Sequence, residues 1–189
     1  MIVHNDAHAH LPKKDQVPRQ VLLKTYEEGY EKEYHLERNA NRAFASEEIA
    51  PCIGSFHWFD EKSSRTSTLI FQYTEHGTLL DLYRQSFPPF LPEDIKAFWV
   101  GILGVAKGLH TIHKQVGYKG FHHDLKPSNI LVFSKGLTDS KYAYKFKIGD
   151  LGASYLIPTN DNLETINRGT TRTYGNTPKL TQTTMTWAD

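Results

Sequence analysis

The chain has 189 residues, a formal net charge of +1, and 39% hydrophobic against 23% charged residues. This is the balance of a globular protein with enough length for a sizeable core, and it supplies neither a basic field for nucleic acid nor an acidic tail, so any partner must be read from a site. One cysteine, Cys52, excludes an internal disulfide and predicts a reducing, intracellular compartment, cytoplasmic or nuclear.

In chain order, His4, Asn5, Asp6 and His8 interrupt the apolar start, so no secretory signal is predicted. Residues 1–19, with Pro12 and Pro18, read as a flexible leader, and His4, His8 and His10 within it as unliganded. Residues 20–26 predict a strand and residues 28–44 a charged helix, rich in Glu, Arg and Ala and free of proline. Residues 49–59 and 67–73 predict two strands around the polar loop 60–64. Pro92, Glu93 and Asp94 open a helix with acidic side chains in the turn where the helix dipole favours them. Ile95, Phe98, Trp99, Ile102, Leu103, Ala106 and Leu109 recur at helical spacing, predicting one packing stripe, with His110 and His113 partly buried. The longest uncharged apolar run, 97–106, is too short to span a bilayer, so no membrane insertion is expected.

The densest chemistry lies at Phe121-His122-His123-Asp124-Leu125-Lys126-Pro127-Ser128-Asn129-Ile130-Leu131-Val132 and at Ile148-Gly149-Asp150-Leu151-Gly152. Pro127, Ser128 and Asn129 are also ordinary turn residues, so a surface turn is the plain alternative. As a functional set, Asp124 can accept the proton of an attacking hydroxyl, Lys126 can neutralise a moving phosphoryl group, and Asn129 with Asp150 can hold magnesium. The β-prone runs 130–133 and 144–148 read as a hairpin that returns Asp150 beside Asn129. Two carboxylates near triphosphate oxygens repel unless a divalent ion stands between them, which implies Mg2+.

The string His-x-Asp-Leu-Lys-Pro-x-Asn-Ile-Leu, followed by Lys-Ile-x-Asp-Leu-Gly, resembles the eukaryotic protein kinase family. The resemblance implies an α+β, two-lobe fold, partial in extent: a small lobe from its third strand and a large lobe to the start of helix F. It divides residues 20–189 into a small-lobe portion with hinge, 20–75, and a large-lobe portion with catalytic loop and activation segment, 76–189. By the same resemblance Lys24 is the lysine that contacts the ATP phosphates and Glu37 its partner, with Glu33 a poorer fit. Phe71 is the gatekeeper, Gln72, Tyr73 and Thr74 belong to the adenine-facing hinge, residues 92–113 are helix E, and Thr170, Thr171 and Thr173 fall in the substrate-binding part of the activation segment. Thr186 to Asp189 would begin helix F.

The chain departs from the family pattern at several places. No Gly-rich loop precedes Lys24, Leu22 stands where a small residue usually lies over adenine, His123 replaces the catalytic-loop arginine, and Thr177-Pro178-Lys179 replaces Ala-Pro-Glu. The reading is therefore a protein kinase that transfers the ATP γ-phosphoryl group to Ser or Thr hydroxyls of a protein substrate, with ATP and Mg2+ as cofactors. The alternative is a non-catalytic fragment or pseudokinase acting as a binding module.

Overall fold

A computed structural model describes residues 20–59, 64–136, 140–159 and 183–186. The leader 1–19 and the threonines 170, 171 and 173 lie outside the described residues, as do 177–179 and 187–189. The small-lobe portion contains strand β1 (Gln20–Tyr26), helix α1 (Glu31–Ala43) and strands β2 (Cys52–Phe59) and β3 (Arg65–Gln72). Helices α2 (Leu79–Gln85) and α3 (Pro92–His113) follow, then strands β4 (Tyr118–Phe121), β5 (Ile130–Ser134), β6 (Tyr144–Ile148), β7 (Tyr155–Pro158) and β8 (Thr183–Thr186). Protein kinase folds mix strands and helices in this way, and the α+β, partial two-lobe architecture is the one observed.

The main sheet has the order β2-β3-β1-β8, with β1 antiparallel to β3 in a register that pairs Leu22 with Phe71 and Lys24 with Leu69. Central β3 buries Thr66, Ser67, Thr68, Leu69 and Phe71, as a strand covered on both faces must. Helix α1 lies against the sheet through Tyr34, Glu37, Ala40 and Asn41, and it starts at Glu31 rather than at residue 28 because Gly29, at φ 92°, turns the chain first. Tyr26, Tyr34, Leu69 and Phe71 form the core beneath it.

The predicted strand 49–59 is divided. Pro51 interrupts it, and the residues before the proline leave the sheet: Ala50 N–H donates to Ile148 C=O at 2.8 Å, and Ile148 N–H donates to Glu48 C=O at 2.9 Å. This short bridge ties the small-lobe portion to the β5–β6 hairpin. The hairpin itself has the predicted strands, in the register Ile130 opposite Ile148. Its apolar face joins Phe44, Ile49, Leu79, Val105, Ile112 and Leu151 in the second core.

Helix α3 has the predicted bounds, and Phe98, Ile102 and Leu109 of the predicted stripe pack on the core, but the buried face is rotated away from the rest of that stripe. Gly101, Val105, Gly108 and Ile112 are the apolar and small residues it buries, whereas Trp99 and Leu103 remain 59% and 58% exposed, and His110 and His113 are exposed as well. The reason is steric. A Cβ at Gly101 would stand 2.8 Å from the Phe146 ring and 2.9 Å from the Tyr144 carbonyl, so β6 approaches the glycine face that bulky side chains would block. By length and composition α3 is apolar enough to cross a membrane, although the shorter run 97–106 suggested otherwise, and here it packs on β6.

Two elements have no counterpart in the sequence reading. Helix α2 is opened by a capping box, in which the Thr78 hydroxyl accepts from Asp81 N–H and the Asp81 carboxylate accepts from Thr78 N–H. The β4–β7 pair joins the chain before His122 to the chain after Gly152. Strand β8 corrects the expectation at the C-terminal side. Residues 183–186 pair antiparallel with β1, Val21 opposite Met185 and Leu22 opposite Thr184, so Thr186 is in the small-lobe sheet and not at the start of a helix. The open edge of β1 presents unpaired N–H and C=O groups, and a run of mostly β-branched threonines satisfies them.

Candidate active site

Strand periodicity aims Lys24 from β1 toward α1, where helical spacing has buried Glu37. Lys24 Nζ donates to Glu37 Oε2 at 2.6 Å and to Asp150 Oδ1 at 2.6 Å, so one ammonium joins the sheet, the helix and the turn after β6. Burial opposes the charge on Lys24, but Glu37 and Asp150 more than offset it and its pKa lies above 10.5. Burial pushes the Glu37 carboxyl up, with Lys24 pulling the other way. Burial also acts to raise Asp150, yet Lys24 beside it holds the carboxyl below the usual aspartate value.

The neighbouring loop gathers the other predicted side chains. Lys126 Nζ donates to Asp124 Oδ2 at 2.7 Å, and Asn129 Nδ2 donates to the same oxygen at 3.0 Å and to Asp124 C=O at 2.8 Å. Asn129 is buried because the loop closes as a 3-10 turn, Pro127–Asn129, directly into β5. The hairpin brings the Asp150 turn back to it: Gly149 N–H donates to Asn129 C=O at 2.8 Å. The link between Asn129 and Asp150 is thus through backbone, while the Asn129 side-chain NH2 is spent on Asp124.

His122 locks the two loops together. It is 2% exposed, and its Nδ1 accepts from Asp124 N–H at 3.3 Å, which leaves Nε2–H to donate to Gly149 C=O at 3.0 Å. His123 and Asp150 hold positive φ values of 66° and 53°, conformations that non-glycine residues adopt at a cost and that packing must enforce. At Gly152 a Cβ would lie 2.8 Å from Glu37 Oε2 and 3.4 Å from Asp150 Oδ1, so only glycine lets the chain pass the ion pairs.

The residues expected to form the hinge lie where the end of β3 meets β5. Phe71 is 6% exposed in the small-lobe core, Gln72 N–H donates to Pro51 C=O at 3.3 Å, and the Thr74 hydroxyl bonds to Val132 C=O and, at 3.2 Å, to Gly77 C=O. Tyr73 and Thr74 are half-buried. Glu33, the poorer candidate, is not the residue on Lys24.

Three contacts escaped the sequence reading. Tyr26 donates its hydroxyl to Glu37 Oε2, for which the one sequence signal is that residues 24 and 26 share a strand face. His122 is spent internally, although its neighbour His123 drew the attention. His123 Nε2 meets the Tyr155 hydroxyl at 2.6 Å, a contact made only by the β4–β7 pairing.

A family model described as "Protein kinase domain" matches residues 11–185. A putative receptor-like protein kinase of Arabidopsis thaliana is 31% identical over 106 residues, 54% of this chain and 11% of that protein. Serine/threonine-protein kinase SSN3 of Candida albicans is 34% identical over 84 residues, 44% of this chain and 12% of that protein. Receptor-like protein kinase FERONIA of Arabidopsis thaliana is 31% identical over 94 residues, 50% of this chain and 9% of that protein. The chain therefore spans only a small part of the length of the relatives it matches. With the match covering nearly the whole sequence, this chain belongs to the protein kinase domain family.

Proposed function

We propose that this chain binds ATP with Mg2+ and transfers the γ-phosphoryl group to Ser or Thr hydroxyls of a protein substrate. The observation that carries the reading is the Lys24 ammonium, held at 2.6 Å from both Glu37 and Asp150. An ammonium so placed has a fixed position from which to meet phosphate oxygens, at the edge of a carboxylate able to hold a cation. Among the described residues no group of three or more His, Cys, Asp or Glu forms a self-sufficient metal site. Asp150 and the Asn129 side-chain oxygen suit instead a hard cation that takes its remaining ligands from phosphates and water. Magnesium, when bound there, neutralises charge on the nucleotide phosphates.

The residues divide the work by chemistry. Lys126 and Asn129 both donate to Asp124 Oδ2, which orients the carboxylate and leaves Oδ1 to accept the proton of the attacking hydroxyl. Lys126, 50% exposed, can turn toward the transferring phosphoryl group. Phe71 closes the back of the adenine site, and backbone groups of Gln72, Tyr73 and Thr74 face its edge. The Ser/Thr preference draws on the SSN3 relatives, and the lone Cys52 agrees with a cytoplasmic or nuclear location.

Thermal unfolding with ATP and MgCl2, paired with phosphoryl transfer to Ser/Thr peptides, tests this. Saturating ATP with Mg2+ should raise Tm by roughly 5–10 °C, a shift that Asp150→Asn removes. Asp124→Asn should keep the shift and lose transfer by about a hundredfold or more. A shift that survives Asp150→Asn would refute the nucleotide site. A shift without any transfer would favour the binding-module reading.

A further inference from the structure

Glu37 is a carboxylate with an unusual set of partners. It is 1% exposed, Lys24 and Tyr26 both donate to Oε2, and Oε1 has no hydrogen-bond partner among the described residues. A buried carboxylate anchored at one oxygen can swing about its last torsion unless a second donor fixes it. The competing acceptor for Lys24 is Asp150, whose side chain is 35% exposed and so less costly to leave charged. Lys24 alone thus has no reason to stay with Glu37.

We propose that Tyr26 is a positioning residue of the nucleotide site, its hydroxyl holding the Glu37 carboxylate so that Lys24 stays shared with Glu37 and does not pass wholly to Asp150, the carboxylate a cation would use. The inference rests on the nucleotide-site reading above. Tyr26 is suited to this because its ring cannot move. It is 2% exposed, meets the Tyr34 ring edge-on at 5.8 Å between centroids, and packs with Leu69 and Phe71. The Lys24 ammonium lies 5.8 Å from the Tyr26 ring centroid, so the same side chain flanks both members of the pair. Burial, then the Glu37 charge, push the Tyr26 phenol well above its ordinary pKa, so it remains a donor at every physiological pH.

The test is Tyr26→Phe, which keeps the ring, with Tyr34→Phe as control, since the Tyr34 hydroxyl has no partner among the described residues. Calorimetric titration with adenosine and with ADP plus MgCl2 separates positioning from general damage. Tyr26→Phe should weaken ADP binding about tenfold and leave adenosine binding unchanged. In a Glu37→Gln background the same change should cost nothing further. Tyr34→Phe should alter neither ligand. Equal losses for both ligands, or no loss, would overturn the proposal.

A second measurement needs no nucleotide. Acylation of Lys24 by an amine-reactive ester, scaled to the exposed Lys141, should rise several-fold in Tyr26→Phe because an ammonium that leaves the buried Glu37 for Asp150, 35% exposed, is more accessible to the reagent. An unchanged rate would also overturn it. If the unmutated chain bound neither adenosine nor ADP, the nucleotide-site reading would fall, and Lys24 labelling would still decide whether Tyr26 holds the pair.

Discussion

Lys24 is the residue on which the site's electrostatics turn, because its single charge is shared by two acids. Replacing it with methionine leaves Glu37 and Asp150 facing one another without a cation. We expect Lys24→Met to destabilise by about 2–3 kcal/mol at pH 7, less than the roughly 3–5 kcal/mol of a fully buried broken pair because Asp150 is partly exposed. The sign of the pH dependence follows from the directions of the shifts. Glu37, raised above 4.5, retains its proton in the folded state where the unfolded chain has lost it, so acidification toward 4.5 favours folding. Without Lys24 this effect grows, and the deficit should narrow between pH 7 and pH 5 in urea unfolding. Asp150 runs the other way: its contribution is present above pH 3.8 and is lost as the pH falls through its lower folded value. Lys24 contributes fully below pH 10.5 and loses its effect as the pH rises through its higher folded value, so neither interferes in that window. A gap that is constant or widens on acidification would contradict the arrangement.

Among the elements, α3 shows how small residues choose a packing face. Its bulky apolar side chains suggested one stripe, but the backbone of β6 comes close only where no Cβ intervenes. Two glycines in the same helix make opposite predictions. Gly101→Ala gains about 1 kcal/mol of helix propensity and loses more by overpacking, since the Tyr144 carbonyl at 2.9 Å belongs to a paired strand and cannot yield. A net loss of about 1 kcal/mol, or roughly 2–4 °C in Tm, is expected. Gly104→Ala meets nothing nearer than the Phe146 carbonyl at 3.5 Å and should stabilise by about 0.5–1 kcal/mol. Equal signs for the two variants in thermal scans would show that the β6 contact does not set the face. The exposed Trp99 and Leu103 are the counterpart of the same choice, an apolar surface left on the far side of the helix.

At the scale of the molecule, β8 unites distant parts of the chain. Four residues near the C-terminal end complete the sheet beside the strand that carries Lys24. Placing proline at Thr184 and Met185 removes the ladder donor of whichever residue faces β1 and should release that edge. Hydrogen exchange should then lose protection at least tenfold at the amides of residues 20–23 that do not face β3, while Ile148 and Gly149 in the hairpin keep theirs. Unchanged exchange in β1 would show that the β8 pairing contributes no protection to this edge.

What the sequence determined by itself was the local chemistry. The loop from Phe121 to Val132, the hairpin behind it and the position of Asp150 depend on neighbours within a few residues, and strand and turn preferences suffice to place them. Lys24 and Glu37 could be named only through the family resemblance, because no periodicity says which surface charge pairs with which. The partners of that pair were decided by tertiary structure alone. Tyr26 on Glu37, His122 between two loops, β4 against β7, β8 on β1 and the glycine face of α3 all arise from contacts between segments far apart in sequence. Such contacts depend on the space and the unpaired backbone groups that remain after the local elements have packed, and neither quantity is written in any short stretch of residues.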